Sequence, residues 1–346
     1  MRAITFVPGK QGTLGITDVP EPEPGAGDLL VQGLALGICG TDRELISGEY
    51  GWPREDPMIL GHESLGRVLQ VPEGSAYSPG DLVVGVVRRP DPEPCGACAR
   101  GEFDMCRNGE YTERGIKERD GYGSERWTVE AAYAVKLDPG LGTLGVLVEP
   151  ASVVAKAWEH IERIGSRAWF EPRTVLVTGA GPIGLLAALL AHQRGLEVHV
   201  LDRAADGLKP ALVADLGATY HAASDLKAVG FKPDIILECT GAGPLVFDAM
   251  LNTAAAGIVC LAGVSSGGRL LSADAGQINR DIVLENDVVF GTVNANLRHY
   301  RAAADALSQA DAAWLERLIT RRLPLDRAPE AFDRGQDVKV VIELGE

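Results

Sequence analysis

Val175-Leu176-Val177-Thr178-Gly179-Ala180-Gly181-Pro182-Ile183-Gly184 sets a short apolar run directly against three glycines spaced G-x-G-x-x-G. The run Thr174–Thr178 reads as a buried strand, and Gly184–Arg194 reads as the helix that follows it. In that setting the first glycine permits a tight turn and the second lets a pyrophosphate approach the backbone. The third lets helix and strand pack, and the helix N-terminus offers free N–H groups to the phosphates. Asp202 lies 18 residues after Gly184, at the end of the next strand. A carboxylate there accepts hydrogen bonds from the ribose hydroxyls of NAD and repels the 2′-phosphate of NADP, so NAD is expected over NADP. Arg203 beside it is placed to stack on adenine or to meet such a phosphate.

Outward from this turn the pattern repeats. Strand Glu197–Asp202, helix Gly207–Gly217, strand Asp234–Cys239, helix Gly243–Ala255, then strands Gly257–Ala262 and Val288–Gly291 alternate as in a doubly wound parallel sheet. Ala151–Ile164 carries a helical apolar stripe. After about residue 295 two helices are expected, Leu297–Leu307 and Ala312–Leu318. A terminal strand, Val338–Leu344, is available to pair back with the N-terminal half. That half differs in texture. Up to about residue 136, short strands alternate with Pro and Gly turns, which suggests a β-barrel. The expected division is 1–150 with 296–346, and 151–295.

The chain has 346 residues, 46% of them hydrophobic and 23% charged, enough for two cored domains. A net charge of −15, spread along the sequence, argues against nucleic acid or an anionic membrane as partner. No basic-apolar leader opens the chain, and no apolar run approaches a span of about 18–20 residues, so a cytoplasmic location is expected.

In a cytosolic chain, clustered cysteines point to metal before disulfide. Cys39, His62 and Glu63 offer S, N and O donors on two Gly-flanked turns, Leu36–Asp42 and Leu60–Glu63. Zinc accepts all three, and a catalytic zinc keeps one position open. Glu63 stands either as a ligand or as the group that orients one. Glu149, in Leu147-Val148-Glu149-Pro150, is a further ligand candidate, directly or through water. Cys95, Cys98 and Cys106 form a second cluster with the spacing of a structural zinc, its fourth ligand to be sought in Asp91 or Glu93. Cys239 and Cys260 read as buried small hydrophobes.

Together, Gly37-x-Cys39-Gly40-Thr41-Asp42, Gly61-His62-Glu63, Pro79-Gly80-Asp81-x-Val83, the Cys95–Cys106 lobe and the Gly179–Gly184 turn resemble the zinc-containing medium-chain dehydrogenase/reductase superfamily. Val87-Arg88-Arg89-Pro90, Asn108–Ile116, Asp120-Gly121-Tyr122, Glu149-Pro150 and Gly291–Asn294 bring the likeness closest to microbial glucose 1-dehydrogenases. The resemblance implies a GroES-like β-barrel catalytic domain with a Rossmann domain. It implies zinc-dependent oxidation of an aldose at C1 to the aldonolactone, with hydride transfer to NAD(P)+. By resemblance, Cys39, His62, Glu63 and Glu149 are zinc ligands, and Thr41, Glu113, Glu149 and Asn294 contact substrate. Gly179, Gly181, Pro182, Ile183, Gly184, Asp202, Arg203, Val264, Ser265, Thr292, Val293, Asn294 and Lys339 contact the cofactor. A homodimer or homotetramer is likewise implied. Two departures stand out. The lobe lacks the first of the usual four cysteines, and Asp202-Arg203-Ala204 replaces the neutral residue and two arginines common in NADP-using members. The competing readings are a polyol or secondary-alcohol dehydrogenase and a non-catalytic dinucleotide-binding protein.

Overall fold

The structure, a computed structural model, describes residues 1–51, 54–265, 270–333 and 335–345. They fall into two compact units, Val153–Val293 and Met1–Ser152 with Asn294–Glu346.

In the Val153–Val293 unit, six strands form one sheet. Their order is Thr219–Ala222, Glu197–Asp202, Thr174–Thr178, Ile235–Glu238, Ile258–Leu261 and Val288–Gly291. Every pairing is parallel. In chain order this is 3-2-1-4-5-6, so the order reverses beside Thr174–Thr178, where open α/β sheets bind ligands. Val175, Leu176 and Val177 are fully buried, which explains a strand that reads as continuously apolar. The glycine-turn helix is Pro182–Gln193. It starts two residues earlier than expected, because proline is preset for the first helical position. Helix Ala275–Glu285 was not expected. None of its residues is fully buried; Ile278 and Ile282 are half-buried on one face, and Asp274 caps it by accepting from Gln277 N at 3.0 Å.

The other unit is built on the long strand Asp28–Ile38. Glu63–Gln70, Arg126–Glu130 and Lys339–Glu343 all pair with it antiparallel. Its alternating burial is that of a strand with one face on the core. Ile4, Phe6, Leu36, Leu60, Tyr122, Trp127, Val340 and Ile342 share that core. Lys339–Glu343 is the expected terminal strand: Val340 stands opposite Ile38, and Val341 opposite Gly37. Helices Leu297–Ser308 and Ala312–Leu318 follow the expected pattern.

One apolar run does exceed the length set out above. Pro139–Gly165 is long and apolar enough to cross a membrane, but 78% of its most apolar stretch is buried in the fold, as a core helix would be.

Candidate active site and cofactor turn

Cys39 ends the Asp28–Ile38 strand and caps helix Gly40–Ser47, where a simple turn was expected. His62 precedes the strand opened by Glu63. Pairing of Gly37 with Glu63 across the two strands carries Cys39 to His62, leaving Sγ 3.0 Å from Nε2. The donor atoms of Cys39, His62 and Glu63 all lie within 4.8 Å of one another. One zinc ion, with bonds of about 2.0–2.3 Å to N, O and S, spans that spread with little adjustment.

Asp42 is the residue the sequence reading passed over. It is fully buried in the first turn of Gly40–Ser47. Its Oδ2 accepts from Cys39 N at 2.9 Å, and its Oδ1 lies 3.2 Å from His62 Nδ1. One carboxylate thus fixes the backbone of one donor and the ring of the other, and leaves Nε2 facing Cys39. Burial alone depresses the His62 pKa. The Cys39 and Asp42 charges on either side outweigh it and carry that pKa well above its ordinary value. The position between Cys39 and Asp42 therefore favours positive charge, as a metal centre requires.

Lys339, expected at the cofactor, is 1% exposed, ion-paired to Glu63 and donating to Ile38 O at 3.1 Å. An ammonium enclosed this way balances the charge of Glu63. Gly37 makes the pairing possible: a Cβ there would stand 2.0 Å from Glu63 Oε2 and 3.0 Å from Lys339 Cε. Glu149 begins helix Val148–Gly165 and is not part of the converging donor group. It is within electrostatic reach, however. Burial pushes its carboxyl up to about 7, with His62 and Lys339 opposing and Glu63 and Asp42 adding. Thr41 is half-buried in the first turn of Gly40–Ser47.

In the same unit, Glu113 sits on strand Thr112–Arg114, 4% exposed. Its Oε1 accepts from Asn294 Nδ2 at 2.6 Å and from Arg88 Nε at 3.0 Å. Asn294 holds φ at 61°, the left-handed region that asparagine tolerates.

In the cysteine lobe, Asp91, Cys95, Cys98 and Cys106 bring four donor atoms within 4.8 Å. Asp91 Oδ2 lies 3.2 Å from Cys106 Sγ and 3.6 Å from Cys98 Sγ. Glu93 is exposed, which leaves Asp91 as the fourth group. Backbone N–H groups of Cys98 and Arg107 bring the Cys95 thiol down to about 7, while burial pushes Cys98 up to about 12. Cys260 is buried as expected; Cys239 is only half-buried.

In the other unit, Gly179 takes φ 88°, and a Cβ on Gly184 would stand 1.8 Å from Gly179 O. A Cβ on Gly181 would meet nothing within 4 Å, which leaves the space a pyrophosphate needs above an uncapped helix start at Pro182 and Ile183. Asp202 Oδ2 accepts from Ala180 N at 2.8 Å, and Lys209 Nζ lies 3.2 Å away. Burial raises the Asp202 pKa, but these N–H groups and Lys209 outweigh it and keep it below its ordinary value. Arg203 is exposed. The fully buried Glu238 takes Thr178 Oγ1, Thr240 N and Gly241 N at 3.1, 2.9 and 3.1 Å. It thereby fixes the loop against which Ser265 Oγ donates to Gly241 O at 2.7 Å, beside the exposed Val264. Thr292 N bonds Leu261 O at 3.0 Å; its buried Oγ1 has no partner among the described residues. Val293 is exposed, and its carbonyl accepts from Lys156 at 3.0 Å.

The comparisons agree with this architecture. Residues 25–139 match the family model for the alcohol dehydrogenase GroES-like domain, and residues 142–344 match that for the glucose dehydrogenase C-terminus. The chain is 39% identical to a glucose 1-dehydrogenase of Methanocella arvoryzae over 100% of both chains, and 39% identical to that of Thermoproteus tenax over 99% of both. Among solved structures, the Haloferax mediterranei glucose dehydrogenase in complex with NADP, Zn and gluconolactone superposes with a TM-score of 0.91 at 31% identity, covering 100% of both chains. With the Rossmann sheet, the barrel and the two donor sets in place, the chain belongs to the glucose dehydrogenase family of the zinc-containing medium-chain dehydrogenases.

Proposed function

We propose that the enzyme oxidises an aldose, glucose or a close relative, at C1 to the aldonolactone, with hydride transfer to a nicotinamide dinucleotide. The carrying observation is a converging S/N/O donor set in the same unit as an ordered carboxylate, Glu113, whose Oε2 has no partner among the described residues. A relative with gluconolactone bound supports the reading.

Cys39 and His62 hold zinc, with Glu63 or Glu149 entering as exchangeable donors. When bound, zinc supplies Lewis-acid polarisation of a hydroxyl, and the dinucleotide supplies the hydride acceptor. Asp42 keeps the His62 ring turned, and Lys339 balances the charge of Glu63. Thr41 passes the C1 proton outward. Glu113, Glu149 and Asn294 pair with sugar hydroxyls, which a polar pocket discriminates strongly because a missing partner leaves a buried group unpaired. Gly179–Gly184 cradles the pyrophosphate. Asp91, Cys95, Cys98 and Cys106 hold a second, structural zinc.

Two observations bear on the dinucleotide in opposite directions. The Haloferax enzyme was crystallised with NADP, whereas the ionised Asp202 opposes a 2′-phosphate. We take the chain to accept both, with Asp202 setting the ratio. A panel of aldoses and polyols run with NAD+ and NADP+ tests both points. Aldose oxidation with lactone release is expected, and Asp202→Ser should shift kcat/KM towards NADP+ by about tenfold or more, the loss of one charge–charge repulsion. A zinc-loaded enzyme that reduces neither dinucleotide with any aldose ends this reading.

A further inference from the structure

Arg88, in the barrel unit, is held by three neighbours, Tyr111, Asp104 and Glu113. It is 6% exposed. Its guanidinium carbon lies 3.7 Å from the centroid of the Tyr111 ring, a cation–π contact. Nη1 donates to Asp104 O at 3.1 Å, while Nε and Nη2 both reach Glu113 Oε1 at 3.0 Å. Asp104 is itself tied down. Asn296 Nδ2 donates to its Oδ1 at 2.8 Å and to Gly101 O at 2.6 Å.

The consequence falls on the two oxygens of Glu113. Oε1 accepts from Arg88 Nε and Asn294 Nδ2 and is ion-paired with Arg88 Nη2. Oε2 has no partner among the described residues and is not among the fully enclosed atoms. The carboxylate therefore has one oxygen engaged on several sides and one, Oε2, without a partner among the described residues.

We propose that Arg88 is the positioning residue for substrate recognition: its fork locks Glu113 Oε1 so that Oε2 accepts from one sugar hydroxyl. The inference rests on the aldose reading above. Arg88 touches no reacting atom and acts through Glu113. Lysine cannot replace it, because an ammonium is a point donor. It cannot hold Asp104 O and Glu113 Oε1 together while lying over the Tyr111 ring as the guanidinium does. The segment Phe103–Met105 lies between Cys98 and Cys106, so Arg88 also ties the order of the cysteine lobe to the substrate carboxylate.

The test compares wild type, Arg88→Lys, Glu113→Gln and the double variant, each zinc-loaded. Readouts are KM and kcat for the preferred aldose, equilibrium binding of the lactone, and the thermal midpoint. Arg88→Gln with Glu113→Gln serves as a second double variant. It removes both charges, so no unpaired carboxylate is left buried should Arg88→Lys fail to fold. Arg88→Lys is expected to raise KM and weaken lactone binding by about tenfold or more, with kcat within about threefold of wild type, the mark of lost binding rather than lost chemistry. In the Glu113→Gln background the added loss should shrink to within about twofold, since a positioning residue has nothing left to position. An unchanged KM overturns the proposal, as does a loss that adds in full to that of Glu113→Gln. So does a kcat that falls in parallel with the thermal midpoint, which marks a structural role alone. Failure of the aldose reading is separately visible, because wild type itself would then oxidise no aldose.

Discussion

Asp42 shows how much of a metal centre one side chain outside the donor set can hold. Its two oxygens serve Cys39 N and His62 Nδ1, and it has no exposure with which to do anything else. Asp42→Asn preserves its size but removes the charge that holds the imidazole, and its amide N–H faces a donor at one of the two contacts. Zinc affinity is expected to drop about 10–100-fold, the usual cost of losing a carboxylate behind a ligating histidine. Competition against a calibrated chelator measures it directly, without reference to turnover. An unchanged affinity would mean that strand pairing alone aims His62. The sequence contained Asp42 inside a quoted motif, yet its role was not legible there. What assigns it is burial and a helix start, and Gly40–Ser47 announces neither: it buries only Asp42 and Leu45, and Cys39 is not a residue that marks N-caps. Lys339 hid its pairing with Glu63 for a related reason. Its bond to Ile38 joins positions 301 residues apart, and no local pattern shows that a lysine in a terminal strand points inward.

At the scale of elements, strand Arg126–Glu130 is stitched to its neighbours by charge as well as by its ladder. Glu130 takes Arg89 Nη2 at 2.7 Å and Arg119 Nη2 at 2.8 Å. Burial pushes its carboxyl up, but the arginines outweigh that and hold it at about 2, against an ordinary 4.5. Because the folded pKa lies below the unfolded one, the stabilisation is complete above about pH 4.5 and is lost as pH falls towards 2. Glu130 is about a third exposed, so after solvent screening its share is about 2 kcal/mol. Glu130→Gln should therefore lie below wild type in thermal midpoint at pH 6, and the gap should narrow progressively from pH 4.5 to pH 3. A gap independent of pH would assign the loss to packing. Elements of this kind also mark the limit of legibility. Short strands between Pro and Gly turns were expected in this half of the chain. The ion pairs of this strand join Arg89, Arg119 and Glu130 across three strands, and the sequence does not order them. The glycine turn is the opposite case: strand, glycines, helix and Asp202 are contiguous or nearly so, and the local chemistry determines them.

At the scale of the whole molecule, the chain closes its barrel unit with its last strand. Lys339–Glu343 lies between Asp28–Ile38 and Ile319–Pro324, so that unit is complete only after the whole Val153–Val293 unit has been made. Each unit carries its own core. Ile342 belongs to that of Leu36 and Trp127, whereas Leu176, Leu201, Ile236 and Val259 form another. Ile342 is fully buried and stands opposite Leu36 on one side and Leu323 on the other. Ile342→Ala leaves a cavity there and should cost about 2–4 kcal/mol. Contiguous cooperative units open separately, so that cost belongs to the barrel unit. Hydrogen exchange followed by peptide should show protection in Asp28–Ile38 falling by about 30–1,000-fold, the same energy expressed as an opening constant. Protection in Thr174–Thr178 should stay within about threefold of wild type. Equal losses in the two strands would show that the units unfold as one, and that the late terminal strand governs the stability of the dinucleotide-binding sheet as well as that of the Cys39, His62 and Glu63 donor set.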